Sequence, residues 1–504
     1  MATKSKAGRK IPIHPKTNKT NLKGKQNSKA AAPIPHLPVL VILHILQFLP
    51  TKLAIRISSL CKQWVGLWSS IPVLDFDEDE PPHGVENLDI ILLQHTNFIN
   101  FLDRCLEFHQ KCEGLDKFRL RMTLSSVEDK DKLGEWLCFA VGRRVKELDI
   151  SLKYKYEVNQ YCFSSTFFNA KPLVILNLEN VTIAYSGQPI SLPSLQTLSI
   201  RRVRLTASSL SALISGCPCI QYLSLTSSSC FESYDLSMQT LLGAESLTSL
   251  NLKYVRVKDD NNNDPKAPIG LPYLKTMSLE IVDLYYPQLI SGSPSLEHLS
   301  VSFCFAKWYR SPKIPRSSSL KSLEVRDFDS KVVQVSGAKS LESFTLVSES
   351  SMQIESIQLD GCKNLKHLSI RAPNLPDFKL HLHGCEHLVK ATLHIPELDV
   401  GSSSNVEWEH FSSLTKYLRK FGPCKNISLY VDDAKALIFP KKLRRTCPPP
   451  LPTLNTLTVS ISSPRGAKDC DLRHSLFWLA PSAEFLSMKY SDISSKYKYR
   501  KKIL

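Results

Sequence analysis

Apolar residues recur along most of this chain in a short unit of the form L-x-x-L-x-L. Within each unit apolar and polar positions alternate, which predicts a strand with one buried face. A single unit cannot bury that face alone, so neighbouring units must stack into a curved parallel sheet. We therefore expect an α/β fold with irregular repeats of about 24 residues. The clearest copies begin at Leu173, Leu195, Ile220, Leu247, Leu274, Leu296, Leu320, Leu341, Leu365 and Leu388, and weaker ones at Leu115, Val145, Cys424 and Leu454.

A column of glycines supports this register. Each of these glycines lies four residues before the first apolar position of a unit. Glycine adopts positive φ at little cost, so the column predicts a left-handed turn before each strand. Its members are Gly216, Gly243, Gly270, Gly292, Gly337, Gly361 and Gly384.

Residues 37–69 follow a different pattern, that of short helices between Pro38, Pro50 and a tryptophan-rich end. Between the two prolines only His44 and Gln47 are polar, so the first helix is apolar almost all round. A surface helix has one apolar stripe, whereas this helix needs cover on two sides. Two following helices, at about 52–58 and 59–69, cover one side. The other side needs a partner or another part of the chain.

The residues of this segment resemble the F-box in its plant form. The matching positions are Leu37-Pro38, Ile45-Leu46, Phe48-Leu49-Pro50-Thr51-Lys52, Ser58, Leu60-Cys61-Lys62-Gln63-Trp64, Leu67-Trp68 and Pro72-Val73-Leu74-Asp75-Phe76. One departure is that Val39 and Leu40 replace the usual acidic pair. The resemblance implies three helices that dock on a Skp-type adaptor, which bridges to a cullin. It assigns that contact to Leu37, Pro38, Ile45, Leu49 and Trp64.

The repeats are similar to the irregular leucine-rich repeats of plant F-box proteins. The position eight residues after each anchor, often Asn or Cys in such repeats, is apolar here at Val181, Val203, Val255, Val282 and Phe328, while Cys304 fits the usual pattern. An asparagine ladder is therefore not expected. We expect a disordered basic tail at 1–33, an F-box at 34–79, a linker helix at 80–112, the solenoid at 113–460, and a C-terminal cap with a basic tail at 461–504.

The formal charge of +17 lies mostly at the two ends of the chain. The near-neutral body between them does not indicate a nucleic-acid-binding domain. Fourteen cysteines occur without a C-x-x-C pair, which favours reduced thiols in the nucleus or cytoplasm. No stretch is long and apolar enough to predict a membrane span.

The sequence offers few candidates for chemistry. The segment containing His381, His383, Cys385 and His387 resembles a metal cluster, but Cys385 has the repeat phase of Cys217 and Cys362, so packing explains it. Phosphate loops, H-E-x-x-H and G-x-S-x-G are missing. We therefore expect a non-catalytic protein without metal or cofactor.

Positions two, four and six after each anchor should line the concave surface of the solenoid. Position four is almost entirely small and polar, whereas position six is charged and varied. We expect Arg201, Lys253, Glu280, Arg326 and Arg371 of this row to bind the target, with the basic members reading an acidic or phosphorylated segment. The alternative is that these charges only solubilise an exposed sheet.

Together these features predict the substrate-recognition subunit of a Skp–cullin–F-box ubiquitin ligase. The F-box would bind the adaptor, and the repeats would hold an unknown target protein for ubiquitination. Three alternatives stay open: a repeat scaffold that works without a ligase, a small-molecule receptor whose ligand lies on the concave face, and basic tails that bind RNA.

Overall fold

The computed structural model describes most of the chain beyond its N-terminal segment. The described residues are 37–60, 62–78, 88–111, 114–124, 126–154, 160–163, 165–185, 187–229, 232–258, 270–282, 289–290, 292–302, 313–314, 319–327, 331–348, 354–372, 379–395, 404–463, 469–490 and 497–500. The expected basic tail at 1–33 lies outside them, as do Phe328 and Cys304.

Strands dominate the described residues. In chain order they are β1 Val73–Asp77, β2 Lys117–Leu124, β3 Glu147–Tyr154, β4 Cys162–Phe163, β5 Ile175–Glu179, β6 Thr182–Ile183, β7 Thr197–Arg201, β8 Tyr222–Thr226, β9 Tyr234–Ser237, β10 Ser249–Lys253, β11 Val255–Lys258, β12 Thr276–Glu280, β13 His298–Ser302, β14 Lys313–Ile314, β15 Ser322–Arg326, β16 Val332–Ser336, β17 Ser343–Val347, β18 Ser356–Asp360, β19 His367–Arg371, β20 Lys379–His383, β21 Lys390–Ile395, β22 Asn426–Asp433, β23 Thr456–Ser463, β24 Phe485–Tyr490 and β25 Tyr497–Arg500.

Seventeen of these strands form one main sheet, which confirms the predicted repeat architecture. From β1 to β24 the neighbouring strands pair in parallel, one repeat after another. Among the described strands of this sheet, only the last pair, β24 with β25, is antiparallel. Smaller parallel sheets unite β4 with β6, β9 with β11, and β14, β16, β18 and β20 in that order. The repeats therefore stack as the alternating pattern requires.

Helices occupy the segments between strands. They are α1 Val39–Gln47, α2 Thr51–Ser58, α3 Leu88–Phe108, α4 Val127–Gly142, α5 Ala207–Ser215, α6 Met238–Leu242, α7 Ser404–Arg419, α8 Lys441–Thr446 and α9 Asp469–Leu479, with 3-10 helices at Leu67–Ser70, His109–Lys111, Ser165–Asn169 and Ala434–Leu437. None of these helices combines the length and apolarity that a bilayer crossing needs.

The alternating side chains of the strands explain the core. The anchor leucines and the apolar residues three and five positions later are buried in one continuous cluster from Leu74 to Met488. In β10, for example, Leu250 and Leu252 are buried while Ser249, Asn251 and Lys253 stay partly accessible. Burial of about 25 cal/mol per Å² of apolar surface is the main force that holds such units together.

Backbone hydrogen bonds at the strand ends link successive repeats, in place of the asparagine ladder that this sequence lacks. Asn180, Arg202, Tyr254, Ile281 and Asp327 each follow the last residue of a strand and adopt positive φ. Each donates its amide to a carbonyl of the next repeat, at 2.7–3.0 Å. The left-handed residue then sends the following side chain inward, so Val181, Val203, Val255 and Val282 are buried. An apolar residue at position eight is therefore part of the core.

The glycine column is only partly the series of left-handed turns that we expected. Gly337, Gly361 and Gly384 have positive φ, but Gly216 has φ −74° and Gly243 has φ −66°. At Gly216 and Gly270 the reason for glycine is space. A Cβ on Gly270 would lie 1.7 Å from the carbonyl oxygen of Gly292, and one on Gly216 would lie 2.5 Å from that of Ile190. Glycine at this position of the repeat is therefore required for two different reasons, a positive φ in some repeats and a lack of space for a Cβ in others.

The repeat sheet extends beyond the expected boundaries at both ends. At the N-terminal side, β1 of the F-box segment pairs in parallel with β2, five residues against five. At the C-terminal side, α9 and β24 lie in the segment expected as a cap, and β24 pairs in parallel with β23. The weaker copies at Cys424 and Leu454 are real repeats, since both residues are buried before β22 and β23.

Candidate functional site

The N-terminal helices have a small core of their own. Ile42 and Leu46 of α1 pack with Ala54 of α2 and with Trp64 and Ile71. The side-chain amide of Gln63 donates to the carbonyl of Leu37, which ties the start of the segment to its end. The three short helical pieces α1, α2 and Leu67–Ser70 thus form a compact unit before the sheet begins.

A large part of this unit's apolar surface is open. Leu40 is 79% exposed and Phe48 is 75% exposed. The exposed apolar side chains of this unit, which we call the apolar face, are Val39, Leu40, Val41, Ile45, Phe48, Leu53, Leu60 and Val65. Eight exposed large apolar side chains on so short a unit make it a candidate interaction surface. The expectation that the chain covers only one side of the first helix agrees with this geometry.

The five residues expected at the adaptor contact differ in their exposure to solvent. Pro38 and Ile45 are exposed, and Leu37 and Leu49 are half-buried against the small core. Trp64 is only 7% exposed and belongs to that core. Its place there favours a supporting role, because the indole packs beneath the apolar face.

Sequence reasoning left out the most exposed members of the apolar face, Leu40, Phe48, Leu60 and Val65. The signal for Leu40 was present in the departure from the family pattern, where an apolar residue stands in place of an acid. A helix that is apolar all round does not reveal which residues face inward until its neighbours are placed.

The helical unit is joined firmly to the first repeats. The amide of Asp75 in β1 donates to Oγ1 of Thr51 at the start of α2 (2.8 Å). The amide of Asp116 donates to the carbonyl of Pro72 at 2.7 Å. These bonds, together with the pairing of β1 and β2, make the F-box segment the first layer of the sheet.

Aromatic packing reinforces the same joint. Trp68 packs its ring against Phe108 and His109 at the end of α3, with ring centroids 5.7 and 5.1 Å apart. His109 is fully buried, and its desolvation lowers the pKa of the imidazole. A neutral His109 suits this site because a charge there would lose its hydration.

A buried ionic cluster joins α3 to the residue that follows β1 and to the first turn of α4. Nδ1 of His95 lies 2.7 Å from Oε1 of Glu78, and Nε2 lies 3.3 Å from Oδ1 of Asp129. Hydrogen bonds to Asp129 and then to Glu78 raise the pKa of His95 to about 9. The two carboxylates have backbone partners as well, since Glu78 accepts from the amide of Thr123 and Asp129 from that of Ser126.

A groove lies beside the apolar face, between α2, β1 and α3. Its volume is about 970 Å³, and Leu53, Phe98 and Phe101 form its apolar part. Lys52 and Arg56 line it from α2, while Asp75, Asp77 and Glu78 line it from the strand. Leu53 belongs to both surfaces, so the groove extends the apolar face toward the repeats.

The outward rows of the main sheet are in strict register. The pairing of successive strands aligns Glu179 with Arg201, Lys253 with Glu280, and Val347 with Arg371. All five residues expected to bind a target therefore lie in one row, as their spacing predicts. Arg201, Arg326 and Arg371 are exposed, and Lys253 and Glu280 are half-buried.

Most of these charges have partners within the chain. Nζ of Lys253 lies 2.6 Å from Oε1 of Glu280, and a guanidinium nitrogen of Arg326 lies 2.6 Å from Oε1 of Glu324. Arg201 lies 3.9 Å from the carboxylate of Glu179. These pairs weaken the expectation that the row as a whole binds an acidic segment, because Arg201, Lys253 and Arg326 each already face a carboxylate.

A shallow depression of about 330 Å³ lies on the same face, in the middle of the sheet. Tyr222 and His298 line it together with Ser249, Asn251 and Ser300. The lining offers hydroxyl and amide groups.

The histidine-rich segment, which resembles a metal cluster in sequence, lies on β20 and in the turn after it. His381 and His383 lie on β20 with ring centroids 6.3 Å apart, and the thiol of Cys385 donates weakly to the carbonyl of Leu359 in the preceding repeat (3.7 Å). Across the described residues, no three His, Cys, Asp or Glu side chains converge as a metal site would require. Cys385 packs between repeats, as its phase predicts.

Comparison with known families accounts for both parts of the chain. The F-box domain matches residues 34–75. The family described as FBD-associated F-box protein At5g56370, LRR repeats, matches residues 133–242 and 233–396. The repeat family alone thus spans more than half of the 504 residues.

Individual proteins of Arabidopsis thaliana are similar as well. The chain is 27% identical over 287 residues to FBD-associated F-box protein At5g38590, covering 53% of this chain and 65% of that protein. It is 34% identical over 197 residues to F-box/LRR-repeat protein At3g59200, covering 38% of this chain and 36% of that protein. In both cases the chain spans less than two thirds of the relative's length.

Among solved structures, the functional domain of InlJ from Listeria monocytogenes matches with a TM-score of 0.26 and 13% identity, over 66% of this chain and 72% of that one. The architecture rests on the strand pairing of the chain itself. The F-box match and the matched repeats, on the fold described above, show that the chain belongs to the plant F-box/leucine-rich-repeat family.

Proposed function

We propose that this chain is the substrate-recognition subunit of a Skp–cullin–F-box ubiquitin ligase. The observation that carries the proposal is the apolar face on the F-box unit, whose side chains are exposed although the anchor leucines of the repeats are buried. A Skp-type adaptor would cover this face and bridge to a cullin. Burial of this apolar face against the adaptor would supply much of the free energy of association.

The proposed mechanism is proximity. The F-box holds the ligase on one end of the sheet, and the repeats hold a target protein on the open rows. A target lysine then meets the charged conjugating enzyme at a raised effective concentration. This role needs no catalytic group in the chain itself. It does need a firm connection between the two binding surfaces, which is what the Thr51–Asp75 bond and the β1–β2 pairing offer.

A binding experiment with a purified Skp-type adaptor tests the proposal. The full chain carrying Leu40→Glu and Phe48→Glu should lose adaptor binding by about tenfold or more, since two charges then face an apolar partner. The matched control is Tyr273→Glu, because Tyr273 is an aromatic residue that is 63% exposed on the repeats. Circular dichroism checks that both variants keep the wild-type fold.

If the wild-type chain does not bind the adaptor, the ligase role fails. The chain would then be a repeat scaffold that binds its target without a ligase. If the adaptor binds but Leu40→Glu with Phe48→Glu has no effect, the apolar face is not the contact.

A further inference from the structure

Two cysteines occupy the same position in successive repeats, beside the small sheet that contains β18 and β20. Cys362 follows Gly361 at the end of β18, and Cys385 follows Gly384 at the end of β20. Each cysteine lies three residues before the anchor leucine of its repeat. Because the repeats stack, this shared position brings the two thiols into adjacent layers.

The backbone of the two turns lies one layer apart. Strands β18 and β20 pair in parallel with Asp360 opposite His383, and the amide of Gly361 donates to the carbonyl of His383 at 2.9 Å. Gly361 and Gly384 share a left-handed conformation, with φ of +70° and +67°. A Cβ on Gly384 would lie 3.6 Å from Cα of Gly361. The turns therefore stack directly, and the residues that follow the two glycines are neighbours.

The two sulfur atoms approach the same short stretch of backbone. Sγ of Cys362 lies 3.9 Å from the carbonyl oxygen of Asp360, and Sγ of Cys385 lies 3.7 Å from that of Leu359. Cys362 donates a hydrogen bond to Cys385, and this bond lowers the pKa of the Cys385 thiol. A disulfide needs Cα atoms about 4.4–6.8 Å apart, and neighbouring strands of a sheet are spaced by about 4.8 Å. The stacking of the repeats therefore suits a disulfide between these residues.

The two thiols differ in their access to solvent. Cys385 is half-buried between the exposed residues Gly384 and Glu386, whereas Cys362 is completely buried. A small reagent in solution can therefore reach Cys385 directly, and its adduct there faces the thiol of Cys362. Accessible redox-sensing thiols commonly have such a second, resolving cysteine beside them.

Cys217 shows the same position of the repeat with a single cysteine. It follows Gly216, is almost completely buried, and donates from its thiol to the carbonyl of Leu213 at 3.0 Å. The next repeat has Ala244 at the matching position. Packing of a small residue therefore explains Cys217, but it does not require cysteine in two successive repeats.

We propose that Cys362 and Cys385 are a redox-active pair, and that a low-molecular-weight disulfide oxidises them to a cross-link between the two repeats. Cys385 loses its proton, and its thiolate attacks one sulfur of the small disulfide. The S–S bond of the reagent breaks, one small thiolate leaves and takes up a proton, and a mixed disulfide remains on Cys385. Cys362 then attacks Sγ of Cys385 and transfers its proton to the second small sulfur as that sulfur leaves. Two protein thiols are oxidised, and one small disulfide is reduced to two thiols.

The cross-link closes a loop that contains β19, the strand that joins the main sheet between β17 and β21. A covalent link between the ends of such a loop restricts the unfolded chain, so oxidation stabilises these repeats against local opening. This inference does not depend on the proposed ligase role, since it concerns only the thiols of the repeats.

Peptide mass spectrometry of the full chain tests the pair after incubation with glutathione disulfide and blocking of the remaining thiols. We expect a cross-linked peptide that joins Cys362 to Cys385, is lighter than its two reduced parts by two hydrogen atoms, and disappears with dithiothreitol. Cys217 should stay reduced, and the exposed Cys470 is the reference for reaction with the reagent. A lasting glutathione adduct on Cys385 with Cys362 still reduced would overturn the proposal. So would an unmodified Cys385 under conditions that modify Cys470.

Two single variants separate the roles of the two thiols. Cys362→Ala copies Ala338, which holds the matching position of the preceding repeat, so the fold should be kept. The glutathione adduct on Cys385 should then accumulate about tenfold or more above the wild type, because the resolving thiol is gone. Cys385→Ala should leave Cys362 unmodified, since Cys362 is buried. Cys470→Ala is the matched control and should form the cross-link as the wild type does.

Thermal unfolding of the same samples measures the consequence of the cross-link. The oxidised wild type should unfold at a higher temperature than the reduced wild type, and neither Cys362→Ala nor Cys385→Ala should show this shift. Equal unfolding temperatures of the oxidised and reduced wild type would overturn the stabilising role of the cross-link.

Discussion

The F-box unit and the repeats are both rich in leucine, but the leucines are buried in the repeat strands and several are exposed in the F-box unit. In the repeats, the leucines of each strand are buried against the next layer, and Leu247, Leu250 and Leu252 are almost completely inaccessible. In the F-box unit, Leu40 and Leu60 of the same residue type are among the most exposed side chains of the described chain. The difference shows that stacking buries the leucines of the repeats within the chain, whereas the F-box unit leaves several of its apolar side chains uncovered.

A matched pair of phenylalanines gives the largest expected effect. Phe344 in β17 is completely buried and Phe48 is exposed. Phe344→Ala should lower the free energy of unfolding by about 3–5 kcal/mol, because it removes packed apolar volume from the core. Phe48→Ala should change it by less than about 0.5 kcal/mol and weaken adaptor binding instead. Urea unfolding and adaptor binding of both variants separate the two roles, and a large loss of stability in Phe48→Ala would contradict the comparison.

Two glycines sharpen the same contrast. Gly270→Ala places a methyl group 1.7 Å from the carbonyl oxygen of Gly292, so the backbone must move. We expect a loss of roughly 3 kcal/mol in the free energy of unfolding. Gly66 in the F-box unit has φ +77° and open space around its Cα, so Gly66→Ala should cost only about 1 kcal/mol of backbone strain. Thermal unfolding of both variants measures the difference, and equal losses would show that crowding between repeats is unimportant.

His95 tests the connection between the two regions. Its pKa is raised to about 9 by Asp129 and Glu78, so the protonated form is stabilised by folding. The contribution is fully present below the ordinary pKa of 6.5 and disappears as pH rises through about 9. We expect the free energy of unfolding to fall by about 2 kcal/mol across this window.

Urea unfolding between pH 6 and pH 10 measures the slope for the wild type and two variants. His95→Gln should flatten the dependence, and His44→Gln, at an exposed position of α1, should leave it intact. A wild-type slope that persists in His95→Gln would assign the pH dependence to another group.

The smallest effect is expected on the outward rows. Lys253→Ala removes an ion pair with Glu280 in which both side chains are about one-third exposed. Such a pair contributes less than about 1 kcal/mol to stability. A denaturant titration at low and high salt checks this value. A loss well above it would mean that the paired rows serve the fold more than their exposure indicates.

The sequence predicted the repeat fold because burial follows a period of two residues. The anchors from Leu173 to Leu388 are all buried, and the weak copies at Cys424 and Leu454 belong to the same series. Strand β24 was missed because its unit lacks a leucine anchor, with Ala483 in that position. The long sheet β14–β16–β18–β20 was also missed, since its strands lie in the irregular segments between anchors.

The candidate sites were harder to predict because they depend on neighbours. The family resemblance assigned Trp64 to the adaptor contact, and the structure shows that its side chain is buried in the core of the F-box unit. The pairing of Lys253 with Glu280 was visible in principle, since both residues hold position six in successive repeats and parallel register makes them neighbours.

Because strand β1 belongs to both the F-box segment and the main sheet, it fixes the distance from the F-box unit to each later strand as well as their relative orientation. Strand β21, which carries Lys390, is twelve strand spacings from β1, and spacings of about 4.8 Å amount to roughly 60 Å along the sheet. The number of repeats thus sets the separation between the F-box unit and any residue on the later strands. Under the proposed function, deleting or adding a repeat between them would change which lysines of a target come within reach of the conjugating enzyme.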